Sequence, residues 1–260
     1  MSIEVRNVSF AYLRGKTVLD DISFQIPDGE FVCLLGPNGV GKSTLFKCVL
    51  RLLTGYSGEI FVDGADSVSL SAKELSRRVA YIPQSAAAIF NYTVRDTVLM
   101  GTTAMTNGLR SPGKKEEAFV DQALKLLDIE YLKDRMFTRI SGGERQLVLI
   151  ARALAQQARI LLMDEPTANL DYGNQLRVLE QIKTLSASGY TILESTHNPE
   201  QAFWYADRVL AVHGGKLIAD GKPTEVMDAA LLKTLYQIDV SIESLYGGKA
   251  HVCLPKKLLQ

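Results

Sequence analysis

Three short stretches of this 260-residue chain carry groups that could do chemistry together. The first is Gly36-Pro37-Asn38-Gly39-Val40-Gly41-Lys42-Ser43, with the spacing G-x-x-x-x-G-K-S, followed by Thr44. Glycines let successive N–H groups turn inward around an anion, and a helix that starts here adds the positive end of its dipole. Lys42 brings a positive charge, and the Ser43 hydroxyl suits a hard divalent cation. Such a loop cradles the phosphates of a nucleotide. Two unit charges 4 Å apart interact by about 4 kcal/mol at an effective dielectric of 20. A bound triphosphate therefore needs counter-charge, which Lys42 and a magnesium ion on Ser43 would supply. The second stretch is Asp164-Glu165, which closes the apolar run Ile160-Leu161-Leu162-Met163. Successive strand residues point opposite ways, so the two acids have different tasks. Asp164 would hold magnesium, directly or through water, and Glu165 would face an attacking water. Two adjacent carboxylates are costly to bury without a cation. The third stretch, Ser141-Gly142-Gly143-Glu144, reads on its own as a turn and helix cap.

The surrounding pattern says what must position these groups. Phe31-Val32-Cys33-Leu34-Leu35 is apolar throughout, the mark of a strand buried on both faces, and it feeds the glycine loop. A helical run over Thr44 to Leu53 follows that loop. Core strands resume at Ile160 to Met163, Tyr190 to Leu193 and Arg208 to Val212. Alternation in Ile22 to Ile26, a turn at Pro27-Asp28-Gly29, and Ile60-Phe61-Val62 before Asp63-Gly64 predict a small antiparallel layer. From Ala86 to about Ala155 strand signals vanish. Lys114 to Asp128 carries the stripe Phe119, Ala123, Leu126 and Leu127, which predicts a helix, and the polar stretch Thr102 to Gly113 predicts an exposed loop. The expected fold is α/β: a mainly parallel nucleotide-binding sheet covered by helices, with an N-terminal antiparallel subdomain and an inserted helical one. The expected division is residues 1–85 with 156–221 as nucleotide-binding core, 86–155 as helical subdomain, and 222–260 as a C-terminal extension with no role legible in it.

Composition narrows the function. Lys and Arg number 29, and Asp and Glu also number 29. With no net charge, the chain lacks the basic excess that grips nucleic acid, so no nucleic-acid partner is expected. No apolar run nears the roughly 20 residues that span a bilayer, and the N-terminus lacks a secretory pattern. Cys33, Cys48 and Cys253 form no paired framework, and the first two lie in apolar surroundings that suit small buried thiols. The protein is expected to be cytosolic.

In the order glycine loop, Ser141-Gly142-Gly143-Glu144, Asp164-Glu165, the chain resembles the ATP-binding cassette (ABC) family over roughly residues 3–221. The resemblance implies further roles. Gln84, in Tyr81-Ile82-Pro83-Gln84, matches the family's glutamine loop, which touches magnesium and water and reports to the membrane partner. Asp171 matches the loop that crosses a dimer interface. His197 matches the switch histidine that contacts the γ-phosphate. Tyr12 matches the aromatic residue that stacks on adenine, with Phe10 as the competing ring. Ile140, Glu144 and Met163 depart from the commonest family wording without removing a group that the chemistry needs. By resemblance, Ser141 of a second copy closes the nucleotide site, so two ATP molecules lie head-to-tail in a symmetric dimer.

Three classes of ABC ATPase compete. A repair or chromosome-organising ATPase would place a long coiled coil between Lys42 and Ser141, and a translation factor would carry two cassettes; this sequence does neither. The expectation is the energy-coupling subunit of a transporter, at the cytoplasmic membrane face, with its permease on separate chains and a substrate-binding protein acting indirectly. The stretches Thr93 to Gly101 and Arg145 to Leu154 resemble ATPases of iron-siderophore, haem and cobalamin importers. An oxyanion (molybdate) importer or an exporter is the alternative. The segment Gln84 to Met100 is expected to form the groove for a short permease helix.

Overall fold

The computed structural model describes residues 2–12, 15–84, 91–105 and 112–258. Strands β1 (Ile3–Ala11), β2 (Thr17–Ile26) and β3 (Phe31–Leu35) lead into helix α1 (Lys42–Val49). Strands β4 (Ser57–Val62) and β5 (Ala65–Asp66), helix α2 (Ala72–Ser76) and strand β6 (Val79–Ile82) follow. Helices α3 (Val94–Leu99), α4 (Lys114–Leu126) and α5 (Gly142–Ala155) precede β7 (Ile160–Asp164) and α6 (Tyr172–Ala187). Next come β8 (Thr191–Thr196), α7 (Pro199–Tyr205), β9 (Arg208–His213) and β10 (Lys216–Gly221). The chain closes with α8 (Pro223–Val226), α9 (Ala229–Tyr236), β11 (Val240–Leu245) and β12 (Ala250–Pro255). It divides into two compact units, Met1–Ser69 with Thr191–Gln260, and Leu70–Tyr190.

In the first unit β3 runs parallel to β8 on one side and to β9 on the other, with Cys33 opposite both Glu194 and Val209. All five β3 side chains are buried, as a strand with two neighbours and two covered faces requires. Its register aligns Leu35 with Thr196, so the segments after β3 and β8 leave the sheet at the same edge. Strand β10 returns antiparallel to β9. A separate antiparallel sheet has the order β2-β1-β4-β5. Its β4–β5 turn is Asp63-Gly64, both at positive φ (49° and 74°), the two-residue geometry that matches strand twist. The expected antiparallel layer and buried strands are therefore present, with longer spans than the sequence outlined.

In the second unit β6 and β7 pair in parallel, from Val79 opposite Ile160 to Ile82 opposite Met163. Helices α3 and α4 pack on α5. Two readings shift here. The buried face of α4 is Val120, Ala123 and Leu124, continued by Leu127, while Leu126 is exposed and Phe119 lies half-buried beneath Lys115. The observed spacing 0, 3, 4, 7 and the predicted 0, 4, 7, 8 span faces of equal width, and packing on α5 selects the first. Residues Met100–Ala104 form a 3₁₀ turn in which Thr102 is buried and its hydroxyl donates to the Leu99 carbonyl at 2.8 Å. The expected loop thus does not begin at Thr102, because a local hydrogen bond lets a polar side chain enter the core; residues 106–111 of it lie outside the described residues. In the first unit, α1 begins at Lys42 and ends at Val49, earlier than the predicted run, since Arg51 adopts φ 55° and stops the helix.

Glu194 is wholly buried on β8, and neither carboxylate oxygen has a hydrogen-bond partner among the described residues. Burial pushes its carboxyl up to about 8 from an ordinary 4.5. The unfolded chain releases this proton near 4.5 while the folded chain keeps it to about 8, so folding stability falls as pH rises through that window. Glu194→Gln is expected to flatten the decline and to add on the order of 3 kcal/mol at pH 7. Urea unfolding of both proteins at pH 5, 6, 7 and 8 measures it.

Candidate functional site

The first unit assembles the phosphate loop. Gly41 sits at φ 110°, and an added Cβ would lie 2.9 Å from the Val18 carbonyl oxygen, so only glycine takes this conformation at this depth. The strained corner turns the chain from β3 into α1, whose first turn carries no side-chain cap. With no side chain seated there, the helix start is open to an anion, which the positive end of the helix dipole favours. Lys42 is 5% exposed, and its Nζ donates to the carbonyls of Gly36 at 2.6 Å and Pro37 at 3.1 Å. The loop's own carbonyls fold the ammonium back over the turn formed by Gly36, Pro37, Asn38, Gly39 and Val40. Ser43 is exposed and Thr44 buried. The Tyr12 hydroxyl lies 3.3 Å from Thr44 Oγ1, which brings that ring to the loop. Phe10 is 8% exposed against 46% for Tyr12, and the two meet edge to face with centroids 5.0 Å apart. Phe10 is a core side chain, and Tyr12 presents the open ring.

His197 leaves the same edge of the sheet. The Gly36 N–H donates to the Thr196 carbonyl at 3.3 Å, tying the start of the glycine loop to the residue before His197. His197 is exposed. Thr196 Oγ1 donates to Gln201 Oε1 at 3.1 Å and accepts from the Asn198 N–H at 3.1 Å. Asn198 caps α7 by accepting from the N–H groups of Glu200 and Gln201. The loop is therefore pinned on both sides of the imidazole.

The second unit holds the acids. Asp164 ends β7 and is 6% exposed. The Tyr81 hydroxyl on β6 donates to Asp164 Oδ2 at 3.3 Å, fixing the carboxylate's orientation. Burial, then the charge of Asp164, pushes the Tyr81 phenol up to about 12, so it stays a donor. Glu165 follows at φ 47°, a left-handed backbone uncommon for a non-glycine residue. It is half-buried, and Gln84, just beyond β6, is exposed. Among the described residues, no group of three or more His, Cys, Asp or Glu could hold a metal by itself. One buried carboxylate suits magnesium, which takes one or two carboxylates and fills its shell with phosphate oxygens and water.

The same unit joins two of the predicted stretches. Ser141 caps α5: its Oγ accepts from the Glu144 N–H at 3.2 Å, and its own N–H donates to Glu144 Oε2 at 2.7 Å. That bond from the Ser141 N–H holds the Glu144 carboxyl below the usual range. Gly142 and Gly143 open α5, and a Cβ on Gly143 would overlap the Asn174 side-chain amide. Asn174 in turn donates from its backbone N–H (2.9 Å) and from Nδ2 (2.6 Å) to the carboxylate of Asp171, the cap of α6. Ser141 and Asp171 thereby sit on helix starts that touch through one amide.

The ABC transporter family profile matches residues 19–168. The chain belongs to the ABC transporter family. It is 43% identical to an uncharacterized ABC transporter ATP-binding protein of Haemophilus influenzae, over 81% of this chain and 80% of that one. It is 35% identical to the ferric enterobactin transport ATP-binding protein FepC of Escherichia coli, over 88% of each. The solved structure of a metal-chelate type ABC transporter in an inward-facing conformation has a TM-score of 0.85, 29% identity and 99% coverage of each chain. No helix among the described residues is long and apolar enough to cross a membrane.

Two side chains outside the expected set hold members of it: Tyr81 bonds Asp164, and Asn174 bonds Asp171. In the sequence Tyr81 enters only as part of the segment Tyr81-Ile82-Pro83-Gln84, and Asn174 carries no expectation. A carboxyl-amide spacing of three, Asp171 to Asn174, was the available signal for the second. Glu144, expected among the ATP-binding residues, directs a carboxylate oxygen to the Ser141 N–H. Glu144→Gln keeps an acceptor for that N–H, whereas Glu144→Ala leaves it without one. Glu144→Ala is expected to cost about 1 kcal/mol in thermal or urea unfolding, and Glu144→Gln less than about 0.3 kcal/mol.

Proposed function

We propose that this chain hydrolyses ATP as the energy-coupling subunit of a membrane importer for a metal chelate, and that it works as a two-fold dimer with its permease on separate chains at the cytoplasmic membrane face. The carrying observation is Ser141. It is exposed, its N–H donates to Glu144, and its Oγ accepts from the Glu144 N–H while the hydroxyl also bonds the Glu144 carboxylate, so this helix start is held in a fixed place at the surface without a ligand. The γ-phosphate of a nucleotide on a second copy fits that exposed helix start, and a C2 dimer supplies the same contact twice. Similarity to ferric enterobactin and metal-chelate transporters supports the substrate class, which a binding protein would deliver to the permease.

In this reading, Lys42, the α1 N-terminus and the loop from Gly36 to Thr44 hold the β- and γ-phosphates, and Tyr12 stacks on adenine. Ser43 and Asp164, with Gln84, would hold magnesium, which would neutralise charge on the phosphates. Glu165 takes the proton of the attacking water, and His197 donates to the γ-phosphate. The loose transition state of phosphoryl transfer leaves the protein mainly positioning and charge neutralisation to do. ATP drives closure because the closed dimer binds it more tightly than the open one, and loss of the γ-phosphate contact reopens it.

A cavity of about 540 Å³ in the second unit supports the permease reading. Lys73, Tyr81, Met100, Thr103, Arg152 and Gln156 line it, with two cations and no acid. Residues 85–90 of the predicted groove lie outside the described residues. Tyr81 both lines this cavity and bonds Asp164, which gives a docked segment a route to the hydrolytic site.

Glu165→Gln is expected to keep nucleotide affinity within about threefold, cut turnover at least 10²-fold, and accumulate an ATP-bound dimer in size-exclusion chromatography. Full turnover by this variant sinks the role of Glu165. Lys42→Ala is expected to lose tight nucleotide binding in a fluorescent-nucleotide titration.

A further inference from the structure

The C-terminal segment is packed onto the helix that carries the His197 loop. Strands β11 and β12 form an antiparallel hairpin in full register from Val240 opposite Pro255 to Leu245 opposite Ala250. Strand β12 lies along α7 within the first unit. Trp204 Nε1 donates to the His251 carbonyl at 2.9 Å, and the Cys253 N–H donates to Glu200 Oε1 at 3.0 Å. The His251 ring stacks on Phe203 with centroids 5.0 Å apart and an interplanar angle of 15°. Successive positions on one face of α7, Glu200, Phe203 and Trp204, are thus all engaged by alternate residues of one strand.

Helix α7 has seven residues, too few to hold its own position without tertiary packing. Its N-terminal turn, which includes Glu200, holds the loop around His197 through Gln201 to Thr196 and through the Asn198 cap. A displacement of α7 therefore moves Thr196, Asn198 and the imidazole between them. The hairpin also lies beyond the segment matched by the family profile, which ends at residue 168.

We infer that the β11–β12 hairpin is a splint for the His197 loop, with Glu200 and Trp204 as positioning residues that act on hydrolysis through α7. This rests on His197 serving the γ-phosphate as proposed above. The hairpin lends no group to the nucleotide itself. Loosening it leaves ATP affinity intact and slows turnover, because a displaced imidazole misses the transition state.

Trp204 is the sole tryptophan of the chain, so its emission reports hairpin docking directly. Glu200→Ala is expected to red-shift that emission, to raise amide hydrogen exchange at residues 196–198 and 250–255, and to lower kcat about 5- to 20-fold. KM for ATP should stay within twofold and the thermal midpoint near wild type. Glu200→Gln keeps an acceptor for the Cys253 N–H and should restore at least half of kcat. Trp204→Phe, which keeps a ring but loses the N–H donor, should repeat the exchange and kcat effects. The inference is overturned if exchange at 250–255 rises while exchange at 196–198 and kcat do not change. His197→Ala is the separate control. If it turns over ATP at the wild-type rate, the role of His197 fails, while exchange at 196–198 in the Glu200 and Trp204 variants still decides whether the hairpin holds the loop.

Discussion

A polyphosphate leaves water only if the oxygens it turns inward meet donors or cations, and the first unit is arranged around that demand. The helix start after Gly41 has no side-chain cap, and the ammonium of Lys42 is bent back onto the loop's own carbonyls. Both features place positive potential in a small turn where Gly36, Gly41 and Lys42 are buried, so it acts with less screening than in water. The scaffold follows from the same need. A loop that concentrates donors must be held rigidly, and β3 does so by pairing on both edges and burying every side chain.

Parallel pairing has a second consequence. Because Leu35 and Thr196 are in register, the glycine loop and the His197 loop leave the sheet side by side, joined by the bond from Gly36 to Thr196. Ligand sites of open α/β sheets lie at such carboxyl edges because loops converge there while the strands stay fixed. In the second unit, β6 and β7 bring Tyr81 to Asp164 in the same manner.

The helix starts of the second unit have another character. Ser141 and Asp171 are exposed caps, each satisfied by its own helix and linked by Asn174 against Gly143. A cap that meets its own helix's needs is stable without a ligand and still presents a donor or acceptor outward. This suits a surface that meets a partner intermittently. The proposed dimer uses that property, and the hairpin on α7 extends the same economy of short helices held by neighbours.

Legibility divided along the chain by distance in sequence. The glycine loop, Asp164-Glu165 and the Ser141 cap were readable from neighbours alone, because backbone turns, helix starts and strand ends are set by a handful of consecutive residues. The phase of α4 slipped by one position at Phe119 and Leu126, since adjacent apolar residues fit a helical stripe almost equally well until packing selects one. Thr102 was read as loop because polarity hides a hydroxyl whose partner is three residues back. The C-terminal hairpin was unreadable because its evidence is Trp204 meeting His251, 47 residues away. Tyr81 and Asp164, 83 residues apart, were equally unreadable as a pair. By itself the sequence determined which groups are the candidates for the chemistry, because their types and short spacings suffice for that. Only the tertiary structure decided what orients them, because those partners become neighbours through strand pairing and helix packing that no local pattern encodes.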